Sequence, residues 1–322
     1  TPNTSSAASD VYKRQSYTRF GMRQFTRFYK ENFGSVSTSD KPTFRAVNVH
    51  AHNGCNLACK GCNHNSSVLA VGSSVNVDQM LNDLDNILPR IHIWSHISLL
   101  GGEPLLEPRC EEILTKIEEL VDCRIKLFSN AILLHKNQDW IIEHMRRGTI
   151  LRLSMHVSPF SPKGKLNYKN VHEFIEYAED KVDLESTLEI SEPWNEKWFD
   201  MLRWEDNKFH PYEDNDLESS WNHCTCPQMQ IYNGHLWKCA SIAYLRETLR
   251  STQQIDDSEW QKYLKYKPTR VDAPIEDIYK MADGQNKSHS ICNMCPANPK
   301  WFRAHRQLTD VKKVVPQSKI DF

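Results

Sequence analysis

The chain has 322 residues, with 40 Lys and Arg against 41 Asp and Glu, so its formal net charge is -1 and it lacks the basic surplus of a nucleic-acid binder. Its length suits one large domain or a main domain with a smaller companion, and no apolar run approaches the length that spans a bilayer. Ten cysteines without a secretory h-region point to metal ligation in a reducing cytoplasm and away from a disulfide framework. Residues 1–11, rich in Ser, Thr and Ala, are expected to form a disordered leader. A helix and linker are expected over 12–43, where Phe25, Phe28 and Tyr29 recur at i, i+3 and i+4 and Gly34 ends the pattern. Apolar runs at 44–50, 97–100, 123–129, 150–157 and 184–190 read as strands. Amphipathic stretches at 77–91, 110–120, 135–146 and 171–180 read as helices. Such alternation predicts parallel βαβ units and an α/β fold, whose ligands gather at the strands' C-terminal ends. Residues 192–216 set Trp194, Trp198, Trp204, Phe209 and Tyr212 among acidic side chains, and read as a crossover with buried aromatics in preference to a lid. Residues 229–238 read as two strands around an Asn233-Gly234 turn.

Two motifs carry chemistry. The run Cys-Asn-Leu-Ala-Cys-Lys-Gly-Cys supplies three thiols, Cys55, Cys59 and Cys62, from one short segment. A cubane cluster has four irons, so three ligands leave one iron open to a small molecule. Zinc wants four ligands, usually from paired C-x2-C knuckles, and fits this triplet poorly. The second motif is Leu99-Leu100-Gly101-Gly102-Glu103-Pro104. Its glycines let a ligand approach bare backbone at a strand end, and Pro104 stops the strand.

With these motifs one strand–helix unit apart, the region from about Val47 to Val157 resembles the radical S-adenosylmethionine (radical SAM) superfamily. One departure stands out: the position before the third cysteine, often aromatic in that family, is Gly61. The resemblance implies a partial (β/α)6 barrel over residues 44–212. It implies a [4Fe-4S] cluster on Cys55, Cys59 and Cys62 whose open iron chelates S-adenosylmethionine. The backbone of Gly101 and Gly102, with Glu103, would hold the cosubstrate's amino group. Asn130, Ser154 and His156, at later strand ends, are further candidates for cofactor contact, although His156 reads equally well as a core histidine. His50 and His52, flanking the loop, read as solvated or hydrogen-bonding residues and not as ligands.

The remaining thiols concentrate late in the chain, at Cys224, Cys226, Cys239, Cys292 and Cys295. A hairpin turn at Asn233-Gly234 would return Cys239 to the Cys224 end, and the Cys292/Cys295 pair would close a four-sulfur site. Such a site suits zinc or an iron–sulfur cluster equally, and one of Cys224 and Cys226 is surplus to it. The spacing C-x9-G-x4-C from Cys224 is similar to the auxiliary-cluster domains SPASM and its shorter relative Twitch. The Twitch form implies a second [4Fe-4S] cluster in a small cysteine-rich α+β domain over 213–322. Cys110 and Cys123 read as buried structural cysteines.

The activity implied is reductive cleavage of S-adenosylmethionine to a 5′-deoxyadenosyl radical, followed by hydrogen abstraction. The substrate would be a small sugar- or nucleotide-like molecule or a peptide, as in ribosomal-peptide maturation. Oxidation, epimerisation or cross-linking would follow. A flavodoxin- or ferredoxin-like protein would donate the electron, with no nucleic acid or membrane partner. A zinc-stabilised binding module without redox chemistry is the alternative from another class.

Overall fold

A computed structural model describes residues 39–69, 73–155, 162–191 and 198–302. The expected leader, the helix expected after it, His156 and Trp194 lie outside the described residues. Alternation of strand and helix begins at β1 (Thr43–His50) and runs through α1 (Val77–Ile87), β2 (His92–Leu100), α2 (Cys110–Leu120) and β3 (Arg124–Ser129). It continues with α3 (Leu134–Arg146), β4 (Ile150–Ser154), α4 (Pro162–Ala178), the short α5 (Leu184–Thr187) and β5 (Leu188–Ser191). Each strand from β1 to β5 pairs in parallel with the next.

The later elements are the hairpin β6 (Arg203–Glu205) and β7 (Lys208–His210), then α6 (Leu217–Asn222), β8 (Met229–Tyr232) and β9 (His235–Trp237). After them come α7 (Ala240–Ala243), α8 (Leu245–Ser251), α9 (Gln261–Leu264), β10 (Thr269–Arg270) and α10 (Ile275–Gly284). The main sheet has the order β10-β9-β8-β1-β2-β3-β4-β5. In it β8 runs parallel to β1, while β9 and β10 are antiparallel additions at the edge. The result is the mostly parallel α/β sheet of a partial barrel. The 229–238 hairpin, expected in the C-terminal domain, is hydrogen-bonded into this sheet. No helix among the described residues is long and apolar enough to cross a membrane.

Period-two alternation explains the two faces of the sheet. Val47 and Val49 of β1, Ile97 and Leu99 of β2, and Leu151 and Leu153 of β4 join one core with Leu84 of α1 and Ile113 and Ile117 of α2. The alternate positions are polar. Lys126 Nζ lies 2.7 Å from Glu189 Oε1, and Arg152 Nη1 lies 2.7 Å from Glu189 Oε2. Burial raises the Glu189 carboxyl, but the two cations outweigh it and bring it down to about 2.

Four expectations shift in detail, the first being β2, which begins at His92 and not at 97. Residues 184–187 form a helical turn where a strand is expected, because Asp183 caps it by accepting from Glu185 N at 3.1 Å. Helix α4 starts at Pro162, well before 171, since Pro is favoured in a first turn and its buried Asn167 and Asn170 conceal the apolar period. The β6–β7 hairpin falls within the expected crossover, its turn made by Asp206 and Asn207 with φ of 51° and 60°. Its Trp204 and Phe209 meet edge to face at 4.6 Å.

Buried Asp83 ties α1 to the β8–β9 turn. It accepts from Gln79 Nε2 and from Gly234 N, both at 2.7 Å, and the turn residues Asn233 and Gly234 have φ of 49° and 74°. Asp83→Ala leaves the Gly234 N–H without its acceptor. The expected cost is about 1–3 kcal/mol in urea unfolding with the m-value unchanged.

Candidate functional site

The cysteine loop leaves β1 and is held by the end of β2. Ala51 N donates to Leu100 O at 2.6 Å, Gly102 N to His52 O at 2.7 Å, and Glu103 N to Gly54 O at 3.0 Å. A Cβ on Gly102 would lie 2.0 Å from Gly54 O, and one on Gly101 would lie 2.6 Å from His52 O. The backbone that these glycines admit is therefore that of the cysteine loop itself.

Glu103 is 1% exposed and points inward. Its Oε1 accepts from Leu105 N at 3.2 Å and Ser129 Oγ at 2.8 Å, and its Oε2 accepts from Asn130 N at 2.8 Å. It thus caps the turn Pro104–Leu106 and clasps the end of β3. Burial outweighs these three donors and lifts its carboxyl to about 7.

Cys55 is buried, and Cys59 and Cys62 are half-buried. Burial first, then the charges of Glu103, Cys59 and Cys62, push the Cys55 thiol well up. Its sulfur accepts from Leu57 N at 3.4 Å and from Asn130 Nδ2 at 3.6 Å. Cys55 and Cys59 pack with Ile132 and Leu133, beyond the end of β3. Asn130 Nδ2 also donates to Asn56 Oδ1 at 2.6 Å. Helix α4 reaches across to the same place: Lys163 Nζ donates to Asn56 O at 3.1 Å, Asn167 Nδ2 to Asn130 O at 2.8 Å, and Asn170 Nδ2 to Ile132 O at 2.9 Å. Ser154 sits half-buried at the end of β4, in register with Ser191.

Both flanking histidines are buried, so neither is solvated. His50 Nε2 lies 3.0 Å from Asn53 Oδ1, and its ring stacks on Tyr244 at 4.0 Å. His52 Nδ1 lies 3.7 Å from Glu107 Oε2.

The hairpin does return Cys239 to the Cys224 end. Cys224 and Cys226 have their sulfurs 3.9 Å apart, and Cys226 is hydrogen-bonded to both Cys224 and Cys239. The Cys226 bond lowers the Cys239 thiol, while burial raises Cys292 to about 11. Cys295 packs with the same group. Buried Lys238 donates to Gly284 O at 2.9 Å and lies near enough to Cys292, Cys239 and Cys224 for their charges to be felt. Cys110 lies in the main core and Cys123 packs at its margin, apart from both sets. Among the described residues, no three His, Cys, Asp or Glu side chains converge as ligands of one ion. A cubane makes no such demand, because each thiolate binds a different iron.

The sequence does not single out Asn56, Ser129, Lys163, Asn167, Asn170 or Lys238. The one signal for the α4 group is spacing: 163, 167 and 170 share a helix face that a plain amphipathic pattern would leave apolar.

Residues 49–191 match the family model described as the radical SAM superfamily. The match takes in the end of β1, the cysteine loop and strands β2 to β5, and supports a radical SAM domain there. No curated relative matches the chain by sequence. Among solved structures, the chain is similar to native anSMEcpe with bound AdoMet and Cp18Cys peptide, at 13% identity and a TM-score of 0.41, over 78% of this chain and 85% of that one. It is similar also to BtrN in complex with AdoMet and 2-DOIA, at 14% identity and a TM-score of 0.39, over 74% of this chain and 87% of that one.

Two outcomes follow from the geometry. Gly102→Ala must push β2 and the loop apart, so a lower melting temperature and poor retention of reconstituted iron are expected, read by calorimetry and iron assay. Glu103 binds its proton more tightly folded than unfolded. Its stabilising contribution is full below about pH 4.5 and is lost as pH rises through about 7. Metal-free protein should lose on the order of 3 kcal/mol across that window, and Glu103→Gln should flatten the slope in denaturant titrations at stepped pH.

Proposed function

We propose that the chain is a radical SAM enzyme in which Cys55, Cys59 and Cys62 hold a [4Fe-4S] cluster with one iron left for S-adenosylmethionine. The observation that supports this most is the seating of the cysteine loop on the Gly101-Gly102-Glu103 end of β2, within the stretch that matches the superfamily. The donor set fits the group: three thiols share one loop, and N–H donors already face the Cys55 sulfur. When bound, cluster and cosubstrate supply a 5′-deoxyadenosyl radical that takes a hydrogen atom from the substrate.

The chain's own residues place and shield. Gly101 and Gly102 keep side chains out of the seam between β2 and the loop. Glu103 holds the ends of β2 and β3 in register from inside, so in this reading its part is support more than direct contact. Ser154, at the end of β4, is proposed to meet the cosubstrate, and so is His156. Cys239, Cys292, Cys295 and one of Cys224 and Cys226 are assigned to a second [4Fe-4S] cluster in a Twitch-like arrangement over 213–322. The Lys238 ammonium offsets part of the negative charge of such a thiolate set. The substrate is assigned as a small sugar- or nucleotide-like molecule or a peptide, ending in oxidation, epimerisation or cross-linking. A flavodoxin- or ferredoxin-like protein is the proposed reductant.

Metal analysis tests the assignment. Anaerobically reconstituted protein should carry about eight irons with matching sulfide, and Cys292→Ala about four. Reduction with S-adenosylmethionine should release 5′-deoxyadenosine, and Cys55→Ala, Cys59→Ala or Cys62→Ala should abolish it. Stoichiometric zinc without iron would overturn the redox reading.

A further inference from the structure

Asn130 is fixed in orientation by its surroundings. Its Oδ1 accepts from Ile132 N at 3.1 Å, so its Nδ2 must face the cysteine loop. That nitrogen lies 2.6 Å from Asn56 Oδ1 and 3.6 Å from Cys55 Sγ, and a primary amide has one hydrogen for each. The backbone is held on both sides, with Asn130 N donating to Glu103 Oε2 and Asn130 O accepting from Asn167 Nδ2, each at 2.8 Å. Cys55, Asn56, Asn130 and Asn167 are all buried. As a thiol, Cys55 lies 3.9 Å from Asn56 Oδ1 and can donate to it. As a thiolate ligand it can only accept, and the second Asn130 hydrogen and Leu57 N both face it as donors.

We infer that Asn130 is a positioning residue whose side-chain amide donates to the Cys55 thiolate and raises the reduction potential of the N-terminal cluster, with Asn56 setting the direction of that bond. The inference rests on ligation by Cys55, Cys59 and Cys62 as proposed above. A donor hydrogen beside a ligand sulfur stabilises the added negative charge of the reduced cluster, and in a buried setting that effect is weakly screened. Leu57 N, at 3.4 Å, is a second donor to the same sulfur. The role differs from cosubstrate contact, because both amide hydrogens and Oδ1 are engaged within the protein.

Redox titration of the reconstituted protein, followed by electron paramagnetic resonance of the cluster that responds to S-adenosylmethionine, tests this. Asn130→Ser should shift the midpoint potential negative at full iron loading. Asn130→Leu, which keeps the approximate size and brings no charge, should do the same and covers a serine variant that fails to fold. Asn167→Ala loosens the same turn but keeps the donor, and should lower the melting temperature without moving the potential. Wild-type potential in both Asn130 variants, or an equal shift in Asn167→Ala, overturns the inference while leaving the cluster assignment standing. Wild-type protein that takes up no iron overturns that assignment and the inference with it.

Discussion

Between β2 and the cysteine loop there is room for hydrogen and nothing larger: a methyl on Gly102 would meet the Gly54 carbonyl oxygen at 2.0 Å. That closeness lets Gly102 N and Glu103 N reach loop carbonyls, which pins the loop one residue before Cys55. It also turns the Glu103 side chain into the interior, where a carboxylate needs partners. Those partners lie at the end of β3, in Ser129 Oγ and Asn130 N. Asn130 in turn reaches Asn56 and the Cys55 sulfur. A single run of contacts thus passes from β2 through β3 and back to the loop, with α4 bracing it through Asn167 and Asn170. The position of Cys55 depends on the ends of three elements distant in sequence.

Much of this frame was legible in the sequence because it is periodic. Residues 110–120 of α2 show a clean apolar stripe, and the helix has those bounds. The Asn233-Gly234 turn was legible because few dipeptides take two positive φ values easily. Gly101 and Gly102 were legible as a place of close approach, but what approaches is decided by tertiary packing. Asn167 and Asn170 were opaque for a related reason. A buried amide is costly alone and acceptable only with carbonyls to serve, and those carbonyls belong to a loop some forty residues earlier. The turn at 184–187 was hidden by a local capping bond from Asp183, which overrides the β-like run that follows.

The departure at Gly61 has a physical cause in the described structure. Its φ is +72°, and a Cβ there would lie 2.8 Å from Phe199 O and 3.1 Å from Phe302 Cζ. Phe302 is brought to this place by an antiparallel bridge in which Trp198 N donates to Phe302 O at 2.9 Å and Phe302 N to Trp198 O at 2.8 Å. Lys60 and Asp200 form an ion pair beside it at 3.2 Å, but both are partly exposed, so the pair adds little on its own. Packing holds the segment, since Phe199 and Met201 sit in one cluster with Cys226 and against Cys224, Cys239 and Cys295. The same short stretch therefore touches the N-terminal cysteine loop on one side and the C-terminal cysteines on the other. A large side chain at 61 would have to displace it and so disturb both cysteine sets together. Glycine at 61 is the condition for the Phe199 carbonyl and the Phe302 ring to approach the cysteine loop.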